Sequence, residues 1–246
     1  MDRLLYVAMN GANAVMQAQA LNAHNLANSG TTGFKADMAQ FSEVDISGPG
    51  FKSRVFNRIE GIGVDVHSGS IQSTGRDLDV AINGEGWIAV QAPDGSEAYT
   101  RRGDLHIDEL GLLTNGAGLP VLGNGGPLAL PPHAKLEIGS DGTISILPIG
   151  QNPNALAVVD RIKLVSLDDN QLEKGSDGLL RTINGEPGQV DASIQLSSGA
   201  LESSNVNAIE GMVRMIELAR SFEMQVKMMR TAEENDERSA QLLRMS

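Results

Sequence analysis

The sequence predicts an α+β protein: an antiparallel all-β central domain flanked by long N- and C-terminal helices that pair as a coiled-coil-like helical domain. Two observations carry this prediction. Apolar residues recur at three-and-four spacing through both ends of the chain, the period of one helix face. Between them the period drops to two, and Asp-Gly and Asn-Gly pairs interrupt the runs. Boundaries drawn on these changes of period place a helical assembly domain at residues 1–35 plus 206–246, an extended connector at 36–76 and a β-rich domain at 77–205.

The first helix is expected from Leu4, Val7, Gly11, Ala14, Ala18 and Leu21, whose spacing is that of a heptad seam and is continued by Asn25 and Asn28. A second row one residue along, made of Leu5, Ala8, Ala12, Val15 and Leu26, widens the apolar stripe beyond what one partner helix covers. In the whole opening stretch only Asp2, Arg3 and Lys35 carry charge. The remaining positions are amides such as Asn10, Asn13, Gln17 and Asn22, which cost less to bury than charges once hydrogen-bonded. Water is therefore not required on the outer side of this helix. Asn28 and Gly30 are the expected left-handed stop, leading into the Gly30–Gly33 loop.

Residues 42–76 mix Gly, Ser and Pro with short apolar pieces and read either as an extended connector or as extra strands. Beyond them the alternation is plain at Leu78-Asp79-Val80-Ala81-Ile82, Lys135-Leu136-Glu137-Ile138 and Thr143-Ile144-Ser145-Ile146. Turns are expected at Asp94-Gly95, Asn115-Gly116, Asp141-Gly142 and Asn184-Gly185, where glycine supplies the positive φ of tight hairpins. The closing helix follows "LESSNVN": Met212, Met215, Ala219, Phe222, Val226 and Met229 keep the three-and-four spacing. Glu210 with Arg214, Glu223 with Lys227 and Glu234 with Arg238 place acid four residues before base, so this helix has a solvated side.

Composition narrows the function. Nineteen basic against thirty-one acidic residues give a net charge of −12, which repels nucleic-acid backbones and anionic lipid headgroups. The sequence has no cysteine, so disulfides, thiolate metal sites and cysteine nucleophiles are excluded. No apolar run approaches the roughly 20 residues of a membrane span, and the opening residues lack the basic start and apolar centre of a secretory signal. Catalytic constellations fail on spacing. His106 and Asp108 share a strand face but Glu109 points away, and two ligands hold a metal poorly. Gly84 and Gly86 lack the third glycine and the helix of a dinucleotide loop. Asp168-Asp169-Asn170 lacks the glycine and glutamate of a calcium loop. No catalytic residue, cofactor site or metal site is assigned. The alternative of a secreted wall-polymer hydrolase needs a carboxylate pair in a cleft, and Asp104 with Asp108 or Asp77 with Asp79 are its candidates.

Four stretches in order resemble the rod and hook family of bacterial flagellar axial proteins. They are Asn25-Leu26-Ala27-Asn28 with Thr31 to Lys35; "STGRDLDVAINGEGW" from Ser73 to Trp87; the Tyr99-Thr100-Arg101-x-Gly103 stretch running on to Pro127; and "GALESSNVN" with the helix after it. His24 stands where the family more usually has asparagine. The resemblance implies a structural subunit rather than an enzyme. It implies that the helical domain stacks with other rod proteins and copies of itself into a hollow tube, with the β domain outside. It also implies export through the flagellar type III apparatus without a cleaved signal, and residence in the periplasmic rod of the basal body. Within the family the opening and the modest length are most like a proximal-rod member, with a distal-rod paralogue as the alternative. The expected assembly interface is Leu4, Val7, Gly11, Ala14, Ala18, Leu21, Asn25, Leu26, Asn28, Met212, Met215, Phe222 and Val226.

Overall fold

The computed structural model describes residues 4–45, 55–151 and 156–244. One helix, α1, spans Leu4–Ala27 and a second, α2, spans Ala208–Arg244. Between them the described chain is strands and turns, and every strand pairing with a recorded register is antiparallel. The class is therefore mixed α and β, with a helix at each end. Two compact units emerge: Met1–Asn28, Asp37–Gly63 and Val206–Ser246 form one, and Ser29–Ala36 with Val64–Asn205 form the other.

In the helical unit the two helices lie antiparallel. A Cβ on Gly11 would meet the Gln225 amide, while one on Gly211 would sit near Leu26 and Asn22, so low numbers on α1 face high numbers on α2. Asn207 opens α2 by accepting hydrogen bonds from the Ile209 and Glu210 amides at 3.1 and 3.4 Å. Such a cap satisfies amides that have no partner within the helix and contributes about 1 kcal/mol. At the other end of α1, Asn25 exchanges two 2.8 Å hydrogen bonds with the backbone of Asp37. His24 Nδ1 lies 2.7 Å from the Asp37 carboxylate. These contacts seat the strand Asp37–Asp45 on the helix. Within residues 36–76, where the sequence left both readings open, the described chain forms strands Asp37–Asp45, Val55–Val64 and Ile71–Ser73.

The β unit is built on a five-stranded sheet in the spatial order Leu164–Val165, Trp87–Gln91, Glu97–Thr100, Leu180–Thr182, Leu172–Lys174. Its second strand explains why "WIAV" lacks polar alternation. Ile88 and Val90 enter one apolar cluster with Val80, Leu105, Leu113 and Ile144. Trp87 and Ala89, pointing to the opposite face, enter another with Tyr99, Val165 and Leu180. A strand covered on both faces needs no polar side. A three-stranded sheet, Ala157–Arg161, Thr143–Pro148 and His133–Ile138, shows the expected alternation: Leu136, Ile138, Ile144 and Ile146 are buried between more exposed neighbours.

Three of the four expected hairpin glycines take positive φ: Gly95, Gly142 and Gly185. At Asn115-Gly116 the turn differs. Gly118 is the left-handed residue there, while Asn115 is buried and its Oδ1 accepts from the Ala117 and Leu119 amides. Gly116 is needed for space, because a Cβ would lie 1.8 Å from the Asp104 carboxylate. The expected left-handed stop at Asn28 or Gly30 is likewise displaced: neither has positive φ, and Gly33, at +65°, is the left-handed residue. Helix α1 instead ends with the Asn28 side chain donating to the His24 carbonyl at 2.9 Å, so a side-chain amide takes over the role of a glycine cap.

Candidate assembly surface on the terminal helices

The surface begins with what each helix already buries. On α1 the buried positions are Ala8, Ala12 and Asn22, which belong to or flank the second sequence row. Val7, Gly11, Ala14, Ala18, Leu21, Asn25, Leu26 and Asn28 are half-buried along its margins, and the side chain of Leu4 lies outside those described. On α2 the buried positions are Gly211 and Ala232. Met215, Leu218, Phe222, Gln225, Val226 and Met229 are half-buried between them. Small residues at the closest approach let the backbones near each other. The Asn22 side chain then reaches across to donate to the Gly211 carbonyl at 2.8 Å. Part of the amide-rich flank of α1 is thus used inside the subunit, by Asn22 toward α2 and by Asn25 toward Asp37.

Much of what remains uncovered is apolar, beside the charged residues of α2 such as Glu210, Arg214 and Lys227. On α1, Tyr6, Met9 and Met16 are each 54 % exposed, in line with the uncharged Asn13 and Ala20. On α2, Ile209, Val213, Ile216, Met224 and Met228 are all exposed and follow one stripe at helical spacing. Met212, placed in the interface from sequence, is 55 % exposed and borders that stripe, whereas Met215, Phe222 and Val226 turn partly inward. Apolar side chains gathered on these two faces, with Asn13 among those of α1 and Arg220 between Ile216 and Met224 on α2, are a surface that lowers its free energy by leaving water, at about 25 cal/mol per Å². Beyond Ala232 the composition changes: Glu233, Glu234, Glu237 and Arg238 are exposed on all sides of the last turns.

Three of the carboxylates weighed in the sequence are engaged in local hydrogen bonds. Asp108 accepts from the Leu110 and Leu112 amides and holds a turn. Asp104 takes both guanidinium contacts of Arg102, at 2.8 and 3.0 Å. Asp79, buried, accepts from Thr74 Oγ1 and Arg76 Nε. Among the described residues no group of three His, Asp or Glu side chains is placed to hold a metal, and no helix is long and apolar enough to cross a membrane. Asp168 lines a polar hollow of about 260 Å³ with Gln171, Thr182 and Glu186.

Comparison with known proteins meets this geometry at both the β unit and α2. The description "Flagellar hook protein FlgE/F/G D1 domain" matches residues 81–146, and "Flagellar basal body rod FlgEFG protein C-terminal" matches residues 197–242. Over all of both chains the sequence is 42 % identical to the flagellar basal-body rod protein FlgF of Salmonella typhimurium. The chain belongs to the flagellar basal-body rod and hook family. It is also 41 % identical to FlgF of Escherichia coli over the full length of both. With the rod protein FlgG of Buchnera aphidicola it shares 30 % identity, covering 97 % of this chain and 98 % of the relative.

One set of family-motif residues has a role that sequence reasoning missed. Lys35, Arg101 and Glu202 meet inside the β unit, all at most 4 % exposed. No local pattern signals this, because the partners are separated by 167 and 101 residues along the chain. The one available hint was the presence of three ionisable residues in otherwise apolar or small-residue motifs.

Proposed function

We propose that this chain is a structural subunit of the flagellar basal-body rod, most like the proximal-rod member of its family, that works without catalysis. Its helical domain, drawn at residues 1–35 plus 206–246 with residues 29–35 counted in the β unit, pairs α1 with α2 in coiled-coil fashion. Through the exposed apolar stripes of α1 and α2, flanked by Val7, Gly11, Ala14, Ala18 and Met212, it packs with other rod proteins and copies of itself into a hollow shaft. The β-rich domain at 77–205 lies outside that shaft. The observation that carries this reading is the pair of uncovered apolar stripes on α1 and α2, in a chain 42 % identical to a rod protein over its whole length. Contacts that repeat head to tail without closing build helical cylinders rather than rings. Interdigitated side chains along many parallel contacts resist shear and so transmit torque. The chain reaches this periplasmic site by type III export, without a cleaved signal and without membrane insertion. The 30 % identity to FlgG supports a distal-rod position as the second reading.

Two charge insertions test the proposal. Ile216→Glu lies in the exposed stripe and leaves the α1–α2 contact intact, so the purified variant should fold as the parent does while rods fail to assemble and cells do not swim. Gly11→Glu, against the Gln225 amide, should also abolish motility while the β unit stays folded. Normal swimming by the Ile216→Glu strain would refute the assembly role of the stripe.

A further inference from the structure

The Glu202 carboxylate is the centre of a buried charge network that gathers every segment on which the chain enters or leaves the β unit. Its Oε1 accepts from Lys35 Nζ at 2.7 Å and from the Gly69 amide at 2.9 Å, and its Oε2 accepts from Arg101 at 3.1 Å. Lys35 also donates to the His67 carbonyl, and Arg101 to the Gly84 carbonyl. The backbone repeats the pattern. Gly33 N–H donates to the Glu202 carbonyl, Asn205 N–H donates to the Phe34 carbonyl, and the Ala36 amide donates to Asn205 Oδ1. Asp65 N–H closes the set on the Ala36 carbonyl. Residues 33–36, 65–69 and 202–205 are therefore one knot.

Its charges do not balance pairwise. Two cations share one hydrogen-bonded carboxylate, with Asp65 and Glu85 as the further acidic groups facing Lys35 and Arg101 respectively. Burial is the largest influence on both cations and pulls both below their ordinary values. The Trp87 ring, with its centroid 5.1 Å from Arg101 Cζ and 6.0 Å from Lys35 Nζ, adds a weaker cation–π attraction to Arg101, whose Nε has no hydrogen-bond partner. Without Glu202 the site would hold two desolvated cations and no bonded anion, which low-dielectric surroundings penalise heavily.

We propose that Glu202 is a completion clasp: the N-terminal segment 29–36 docks on the β unit only when the C-terminal strand carrying Glu202 has joined it. A chain whose last part is missing, misplaced or not yet delivered keeps its N-terminal leader undocked, even though Lys35 and Arg101 are both present. The clasp thus makes one end of the chain report on the other. It rests on the β unit alone and does not depend on how the helices assemble.

Native-state amide hydrogen exchange on the full chain tests this. Glu202→Gln should lower protection of the Gly33, Ala36 and Asp65 amides by at least about 100-fold, the effect of leaving buried charge unpaired, while Ala89, Leu113 and Leu128 stay protected. Lys35→Met should cost the same amides less, because Arg101 and Glu202 still form a one-to-one pair. Protection of Gly33, Ala36 and Asp65 within tenfold of the parent in Glu202→Gln would overturn the clasp, as would greater loss in Lys35→Met. Should Glu202→Gln fail to fold, Glu202→Asp keeps the charge and shortens its reach. Loss confined to the three segments then supports the clasp, and loss spread evenly over the core overturns it.

Discussion

Gly33→Ala is the substitution whose cost follows most directly from the backbone at that position. Gly33 sits at φ +65°, and an ideal Cβ there would lie 2.3 Å from the Arg101 carbonyl carbon, 2.4 Å from its oxygen and 2.5 Å from the Arg102 nitrogen. All three are backbone atoms, so no side chain can swing away to relieve the overlap. The left-handed conformation alone costs a residue with a Cβ roughly 1–2 kcal/mol. Separating the two backbones removes the 2.8 Å Gly33–Glu202 hydrogen bond, about another 1 kcal/mol. With residual strain the total is roughly 2–4 kcal/mol, a fall in melting temperature of roughly 5–15 °C for a unit of this size. Scanning calorimetry of the full chain measures it, and Gly30→Ala is the control. Gly30 has nothing within 4 Å of its ideal Cβ and no positive φ, so alanine there should be neutral or slightly stabilising. A Gly33→Ala protein melting within about 2 °C of the parent, or a Gly30→Ala protein equally damaged, would show that the close approach at Gly33 does not govern its stability.

Further outcomes concern pH. Hydrogen bonds from Thr143, Ser96 and Ser193 hold the Asp141, Asp94 and Asp191 carboxyls below the usual value of 3.8, and Arg181 does the same for Asp177. The folded chain then binds fewer protons than the unfolded one, so this stability is complete above about pH 4 and drains away as acid titrates the lowered groups; a melting temperature that stayed flat as pH fell below about 4 would contradict it. At the alkaline end, burial pushes Tyr99 up to about 12, with its hydroxyl between Glu97 and the Gly188 amide. Because that value lies above the unfolded one near 10, the contribution persists below pH 10 and is lost as pH rises through 12, and phenolate absorbance should show a late step that Tyr99→Phe removes.

Periodicity made both helices and the alternating strands readable, since amphipathic spacing is a local property of the chain. Ile144 and Ile146 could be assigned to a buried face from four residues of sequence. The partner of each helix face was less readable. A heptad fits Met212 and Gly211 equally well, and only the approach of α1 decided that Gly211 is buried and Met212 exposed. Turn chemistry was legible where Asp-Gly stood alone, and failed at Asn115-Gly116-Ala117-Gly118, where two glycines competed and the Asp104 carboxylate claimed the space beside the first. The five-stranded sheet was hidden because it interleaves residues 87–100 with 164–182, and nothing local encodes such pairing. The Lys35–Arg101–Glu202 cluster was hidden for the same reason, although each member lies in a motif visible in the sequence.

The position of Trp87 has a practical corollary. It is the protein's one indole, and it lies beneath the Arg101 guanidinium and the Lys35 ammonium. Ultraviolet emission from this subunit is therefore an intrinsic gauge of a single location, needing no dye and no engineered label. A stopped-flow record of its brightness would time the moment when segments 167 residues apart in the chain are tied to the same knot.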